Sequence, residues 1–219
     1  MENEYFVEKI PYRGYNIEIY RDIYSENPIK NFDLLGTFTS FHRTYDLSCK
    51  KNKFTDKDEF IDFIRKNKNK IVLLPLRVYE HSGISISTSN NYPYNDRWDS
   101  SHVGYIWITY KTIREEYNVK HITKKLIEKV ENILIDEVKL FDDYLNNNVY
   151  EYIIKSNNND IVESCSGYYG NYENNNLLED AKYSIDNIIK EKIKNRIKLV
   201  KSYIKNNVAL IYRKNFILN

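Results

Sequence analysis

The densest group of side chains able to do chemistry lies between Glu80 and Gly104. It holds Glu80-His81-Ser82-Gly83 and then Asp96-Arg97-Trp98-Asp99-Ser100-Ser101-His102. Two histidines and two aspartates on converging loops could bind a divalent cation or divide the roles of general acid and base. On that reading His81 and Asp99 carry the chemistry, with His42 a third member if it approaches His81. The same residues also suit turns, in which Asp99 and Ser100 bond to backbone while Trp98 fills core space. His121 precedes a helix cap and reads as structural.

Other catalytic signatures are missing. Six glycines form neither a phosphate loop nor a dinucleotide fingerprint. No Gly-x-Ser-x-Gly elbow, His-Glu-x-x-His or paired Cys-x-x-Cys is present. The expectation is therefore no cofactor, no bound metal and more binding than catalysis. The two cysteines, Cys49 and Cys165, read as free thiols of a reducing compartment.

A second pattern suits binding. Lys190, Lys194, Lys198, Lys201 and Lys205 recur at helical steps of four, four, three and four, as one ridge beside an isoleucine face. Such a ridge can track phosphates or grip an acidic protein; the plainer alternative is a solvated face. Without an aromatic stacking platform it favours duplex or protein over single strands. Trp98 and Asp99 join these five lysines as candidate contacts.

The elements that would position these groups follow from periodicity. Tyr15–Tyr20 alternates as a half-buried strand, Asn27-Pro28 marks a turn, and residues 34–41 read as a second strand with a possible bulge at Gly36. Thr55 and Asp58 suggest a capping box for a short helix carrying Phe60, Ile61 and Ile64. Residues 71–78 are apolar on both faces, but Pro75 demotes them to an edge or bulged strand. Residues 84–88 form a short strand, and the apolar run 103–110 a central, doubly covered one. Thr112 and Glu115 suggest a capped helical turn; Thr123 caps a longer helix ending near Leu145, its stripe including Leu126, Val130, Leu134, Val138 and Phe141. Residues 149–155 and 160–166 pair as a hairpin. From Leu177 an uninterrupted amphipathic helix of about 30 residues, roughly 45 Å long, turns its isoleucines toward the domain or another chain. The class is α+β, with a mixed, largely antiparallel sheet packed by helices. Residues 1–175 read as the core and 176–219 as a basic helical extension packed on it or on a partner.

The chain has 219 residues, is 42% hydrophobic and 29% charged, and shows no apolar run long enough to cross a bilayer. Its acidic start lacks the features of a signal peptide, so the expected location is the cytoplasm. A net charge of +2 hides an asymmetry: residues 131–180 carry eleven acids and two bases, residues 182–219 ten bases and two acids. Those blocks suggest internal pairing or a charged partner. Abundant Asn, Lys, Ile and Tyr, all with AT-rich codons, point to a low-GC genome of a Firmicute or its phage.

Several segments resemble a family of uncharacterised proteins from phages, plasmids and other mobile elements of Firmicutes. They are Tyr12-Arg13-Gly14-Tyr15-Asn16-Ile17, Leu35-Gly36-Thr37 with Phe41-His42-Arg43, Tyr79-Glu80-His81-Ser82-Gly83-Ile84, and Trp98-Asp99-Ser100-Ser101-His102-Val103-Gly104-Tyr105-Ile106, with a weaker Gly167-Tyr168-Tyr169-Gly170. The family pattern continues the Trp-Asp-Ser segment with Gly-Gln where this chain has Ser101-His102, which argues against His102 as a required catalytic group. The resemblance implies a non-enzymatic anti-defence protein of the anti-CRISPR type. Such a protein would inhibit a host CRISPR or restriction nuclease by binding it or its nucleic acid. Two alternatives stand beside it: a metal-dependent hydrolase of nucleotides or nucleic acid working through His81 and Asp99, and a phage assembly module oligomerising through the long helix.

Overall fold

A two-residue turn joins the first two strands. Arg13 and Gly14 both take positive φ, 48° and 83°, the arrangement that lets a tight hairpin follow the twist of its strands. The structure is a computed structural model that describes residues 5–81, 83–88 and 100–216. In chain order the elements are β1 (Phe6–Tyr12), β2 (Tyr15–Arg21), α1 (Pro28–Asn31), β3 (Thr37–Ser40), α2 (Lys57–Asn67), β4 (Ile71–Glu80) and β5 (Ile84–Ser87). There follow β6 (Ser100–Thr109), α3 (Tyr110–Glu116), α4 (Lys124–Leu145), β7 (Val149–Ser156), β8 (Ile161–Tyr169), α5 (Leu177–Asn207) and a 3-10 segment, Leu210–Phe216. They build two four-stranded, mostly antiparallel sheets, ordered β1-β2-β7-β8 and β3-β6-β4-β5. The α+β class is as the sequence indicates, but with two sheets rather than one.

The chain divides into two compact units. One gathers the residues up to Tyr20, Glu151–Ser166 and everything from Tyr172 onward; the other holds Arg21–Tyr150 and Gly167–Asn171. The basic helical region thus shares a unit with the N-terminal hairpin.

In the first unit, alternation places Tyr15, Ile17 and Ile19 of β2 on one face, where they are buried with Tyr152 and Ile154 of β7. The opening turns of α5 cover that face with Leu177, Ala181 and Ile185, all fully buried. Polar ties fix the helix: Arg13 donates to Asp186 at 2.6 Å, and Ser184 to Glu163 at 2.8 Å. Glu18, whose strand neighbours Ile17 and Ile19 face the helix, points the other way. It accepts from Tyr20 at 2.7 Å and pairs with Lys155 at 2.6 Å and Lys9 at 3.3 Å.

In the second unit α4 lies on the β3-β6-β4-β5 sheet through Val130, Leu134, Val138 and Phe141, with Phe38 and Phe141 edge to face at 5.8 Å. Thr123 caps α4, accepting from the Leu126 N–H at 3.2 Å. Glu137 interrupts the apolar stripe: its carboxylate reaches the backbone N–H groups of Leu35 and Gly36. A side chain at Gly36 would meet Leu134 and Ile106 within 2.7 Å, and one at Gly104 would strike the Thr39 carbonyl. Phe60 and Phe63 of α2 cluster with Phe54 and Trp107.

Three expected details change. Of the two alternatives for residues 71–78, an edge or a bulged strand, the edge is excluded because β4 lies between β6 and β5, whereas the irregular pairing is present as a register shift against β6 between Leu76 and Arg77. Its pairing with β5 begins only at Arg77, so one side of the strand is unpaired at Pro75, where a missing N–H is tolerated. Asp56 rather than Thr55 caps α2, accepting from Asp58 and Glu59. Thr109 rather than Thr112 caps α3, because the Thr109 hydroxyl accepts from the Thr112 N–H.

Candidate functional site

The turn after β3 explains His42. Its Nδ1 accepts from the backbone N–H groups of Thr44, at 3.2 Å, and Tyr45, at 3.0 Å. That nitrogen must therefore be unprotonated, and the proton on Nε2 is donated to the Glu80 carboxylate at 2.9 Å. Both ring nitrogens are engaged in holding the 42–45 turn against the end of β4. Neither has a lone pair free for a metal or a substrate proton.

His42 and His102 line one shallow groove of about 330 Å³, together with Phe41, Arg43, Glu80 and Ser101. The His102 ring meets Tyr105 edge to face at 4.7 Å. Partial desolvation, followed by the charges of Arg77 and Lys57, holds the His102 imidazole below its ordinary value of 6.5, so it is neutral at neutral pH. His81 is exposed just beyond β4, its ring 6.2 Å from that of Tyr79. Trp98 and Asp99 lie outside the described residues. Among the described residues no three His, Cys, Asp or Glu side chains are grouped to hold a metal ion. Cys49 is buried and Cys165 exposed, both as free thiols.

The lysine ridge is placed differently. Helix α5 runs unbroken from Leu177 to Asn207, and its first three turns are anchored by the contacts described above. The anchoring ends at Lys192, whose Nζ donates to the Tyr15 hydroxyl at 2.8 Å and lies 5.2 Å from the ring centre. Every residue from Lys190 to Tyr203 is exposed. The isoleucine face was expected to be covered along its length; instead Ile193, Ile197 and Val200 are 54%, 40% and 39% exposed, against 0% for Leu177, Ala181 and Ile185. Lys190, Lys194, Lys198, Lys201 and Lys205 are all exposed beside this stripe. Lys194 reaches Glu191 at 3.4 Å, a contact between neighbouring turns.

Residues 190–207, here called the arm, carry seven bases and the single acid Glu191. They span about 27 Å at 1.5 Å per residue. Two further apolar groups, unremarked in the sequence reading, stand on the arm: Leu199 at 71% and Tyr203 at 67% exposure. Their signal was available, since each lies one residue before a stripe position. Arg213 closes the far end by donating to the carbonyls of Val208 at 2.8 Å and Lys205 at 2.6 Å, a favourable place for a cation at a helix C-terminus.

No helix among the described residues is long and apolar enough to cross a membrane. No family model matches this sequence, and no curated protein or solved structure matches it either.

Proposed function

We propose that this protein works by binding rather than by catalysis, and that its arm is the contact. The observation that carries the reading is the arm itself, the end of an anchored helix whose residues 190–207 carry seven bases, one acid and an uncovered apolar stripe. A helix built only to complete its own unit needs neither the length nor the charge. Such an arm suits an anionic macromolecular surface, where several lysines act together. Combined with the resemblance to mobile-element proteins, the reading becomes an inhibitor, acting in the host cytoplasm, that occupies a CRISPR or restriction nuclease or the nucleic acid it holds. The hydrolase alternative loses its third member, because both ring nitrogens of His42 are engaged in a turn, and would rest on His81 and Asp99 alone.

The test is cleavage of target DNA by such a purified nuclease with the protein added in excess. The wild type should suppress cleavage, and a variant with glutamine at Lys190, Lys194, Lys198, Lys201 and Lys205 should not. Equal suppression by both proteins would remove the arm from the account.

A further inference from the structure

The arm's faces say more about what covers it. At about 100° per residue, Ile189, Ile193, Ile197, Val200 and Ile204 fall within a stripe about 80° wide. One flank holds the five-lysine ridge. On the other flank Arg196, Tyr203, Lys192 and Leu199 follow one another around the helix, so that two cations alternate with two apolar groups. The apolar face thus continues past the isoleucines through Tyr203 to Leu199, about 160° in all, with Arg196 and Lys192 set inside it and the lysine ridge along one edge.

We infer that the arm's partner surface is a protein groove with an apolar floor and carboxylate-lined walls, into which Ile193, Ile197, Val200 and Ile204 insert. This rests on the reading of α5 as the binding arm and names the chemistry of its occupant.

Three other occupants fit less well. A nucleic-acid duplex would engage the lysine flank and leave the isoleucine stripe in water, so it explains only half the surface. A second copy would bury the stripe, but a parallel pairing sets the lysine ridge against Lys192 and Arg196, and an antiparallel one sets like flanks together. Either way cation meets cation, and Glu191 is the only acid to offset it. A bilayer takes an apolar face free of charge, with the cations on the opposite, polar face. Here Arg196 and Lys192 stand between the isoleucines and Leu199, inside the apolar face, where a cation is better matched by carboxylates than by hydrocarbon. A groove with acidic walls satisfies both features, and anchors at i, i+4, i+7 and i+11 are those of a helix laid in a groove.

The test uses the full-length protein and three probes. These are a designed helical hairpin presenting a leucine groove walled by glutamates, a short DNA duplex, and vesicles of phosphatidylcholine with phosphatidylglycerol. Two variants are compared with wild type: the five-lysine-to-glutamine ridge variant, and a stripe variant combining Ile193→Ser, Ile197→Ser and Ile204→Ser. Far-UV circular dichroism checks that each keeps its helix. The inference expects the hairpin to be the tightest probe, with affinity falling roughly tenfold or more in either variant, as when central anchors of an interface are lost. Hairpin binding that the stripe variant retains, while the ridge variant loses it, would overturn the groove and leave the arm reading intact. Tighter binding to duplex or vesicles than to the hairpin would also overturn it. A ridge variant that binds every probe like wild type would remove the arm reading itself.

Discussion

Lys192 donates to the hydroxyl of Tyr15 across 177 residues of sequence, and this contact marks where α5 stops being part of its own unit and becomes an arm. Before it, Leu177, Ala181 and Ile185 are fully buried; after it, Ile193 is more than half exposed. Replacing Ile185 with Asp should therefore cost roughly 3 kcal/mol or more, the penalty of an unpaired buried charge. Ile193→Asp should stay within about 0.5 kcal/mol, as surface changes do. Urea unfolding of the two variants distinguishes them, and equal losses would mean that the stripe is covered within the chain.

Glu137 provides the corresponding test in the other unit. Its two oxygens accept from Leu35 at 2.5 Å and Gly36 at 2.9 Å. Glu137→Gln turns an amide N–H₂ toward one of these donors and should cost about 1–3 kcal/mol, the price of a buried donor left without an acceptor. Glu137→Leu removes both acceptors and should cost more. A neutral result for either, read by thermal unfolding, would show that the 35–36 turn does not depend on this carboxylate.

The two carboxylates should give opposite pH dependences. Burial raises the Glu137 pKa above its ordinary 4.5, with the Leu35 and Gly36 bonds opposing. Its contribution to stability is thus fully present below that ordinary value and lost as pH rises through the native one. Burial also pushes Glu18 upward, but hydrogen bonds from Lys155, Tyr20 and Lys9 outweigh it and leave its pKa below 4.5. The Glu18 contribution is present above 4.5 and lost as pH falls through the native value. Wild type should therefore lose its advantage over Glu18→Gln as the medium is acidified. Its advantage over Glu137→Gln should shrink in the opposite direction, as pH rises. Parallel curves in chemical denaturation across this range would contradict both assignments.

Any affinity of the arm for duplex DNA should be electrostatic. Five lysines each neutralising a phosphate would give a slope of log affinity against log salt near −4 to −5, about −0.9 per contact. The stripe variant should leave that slope unchanged and the ridge variant should abolish it. A fluorescence-anisotropy salt series reads both, and a slope that changes with the stripe would place isoleucines in the duplex contact.

Much of the fold was legible because its signals are local. The Thr123 cap and stripe define α4, and uninterrupted i, i+4 isoleucines define α5, whose observed end at Asn207 lies close to the expected one. The hairpin of β7 and β8 follows from its Asn-rich turn. β1 was missed because Phe6–Tyr12 alternates weakly and contains Pro11, and it shows itself only through its partner β2. Glu137 was missed because the partners that justify a buried acid lie about 100 residues away. For the site, the lysine ridge was visible in the spacing, but the exposure of the stripe was not. Periodicity tells which residues share a helix face, not how far the covering surface reaches. A helix of 31 residues is about 46 Å long, whereas strands of seven to nine residues reach at most about 30 Å. The helix must overhang its sheet, and the overhang is the arm.

The most direct measurement of the central claim is plasmid survival in a low-GC host carrying an active CRISPR or restriction nuclease. The plasmid is introduced beside wild-type protein or the five-lysine-to-glutamine variant, at matched expression. Survival is expected with the wild type and clearance with the variant, although the variant keeps its helix because those lysine heads lie off the buried face. Survival that is equally high with both proteins would contradict it, since the arm would then contribute nothing to the protection.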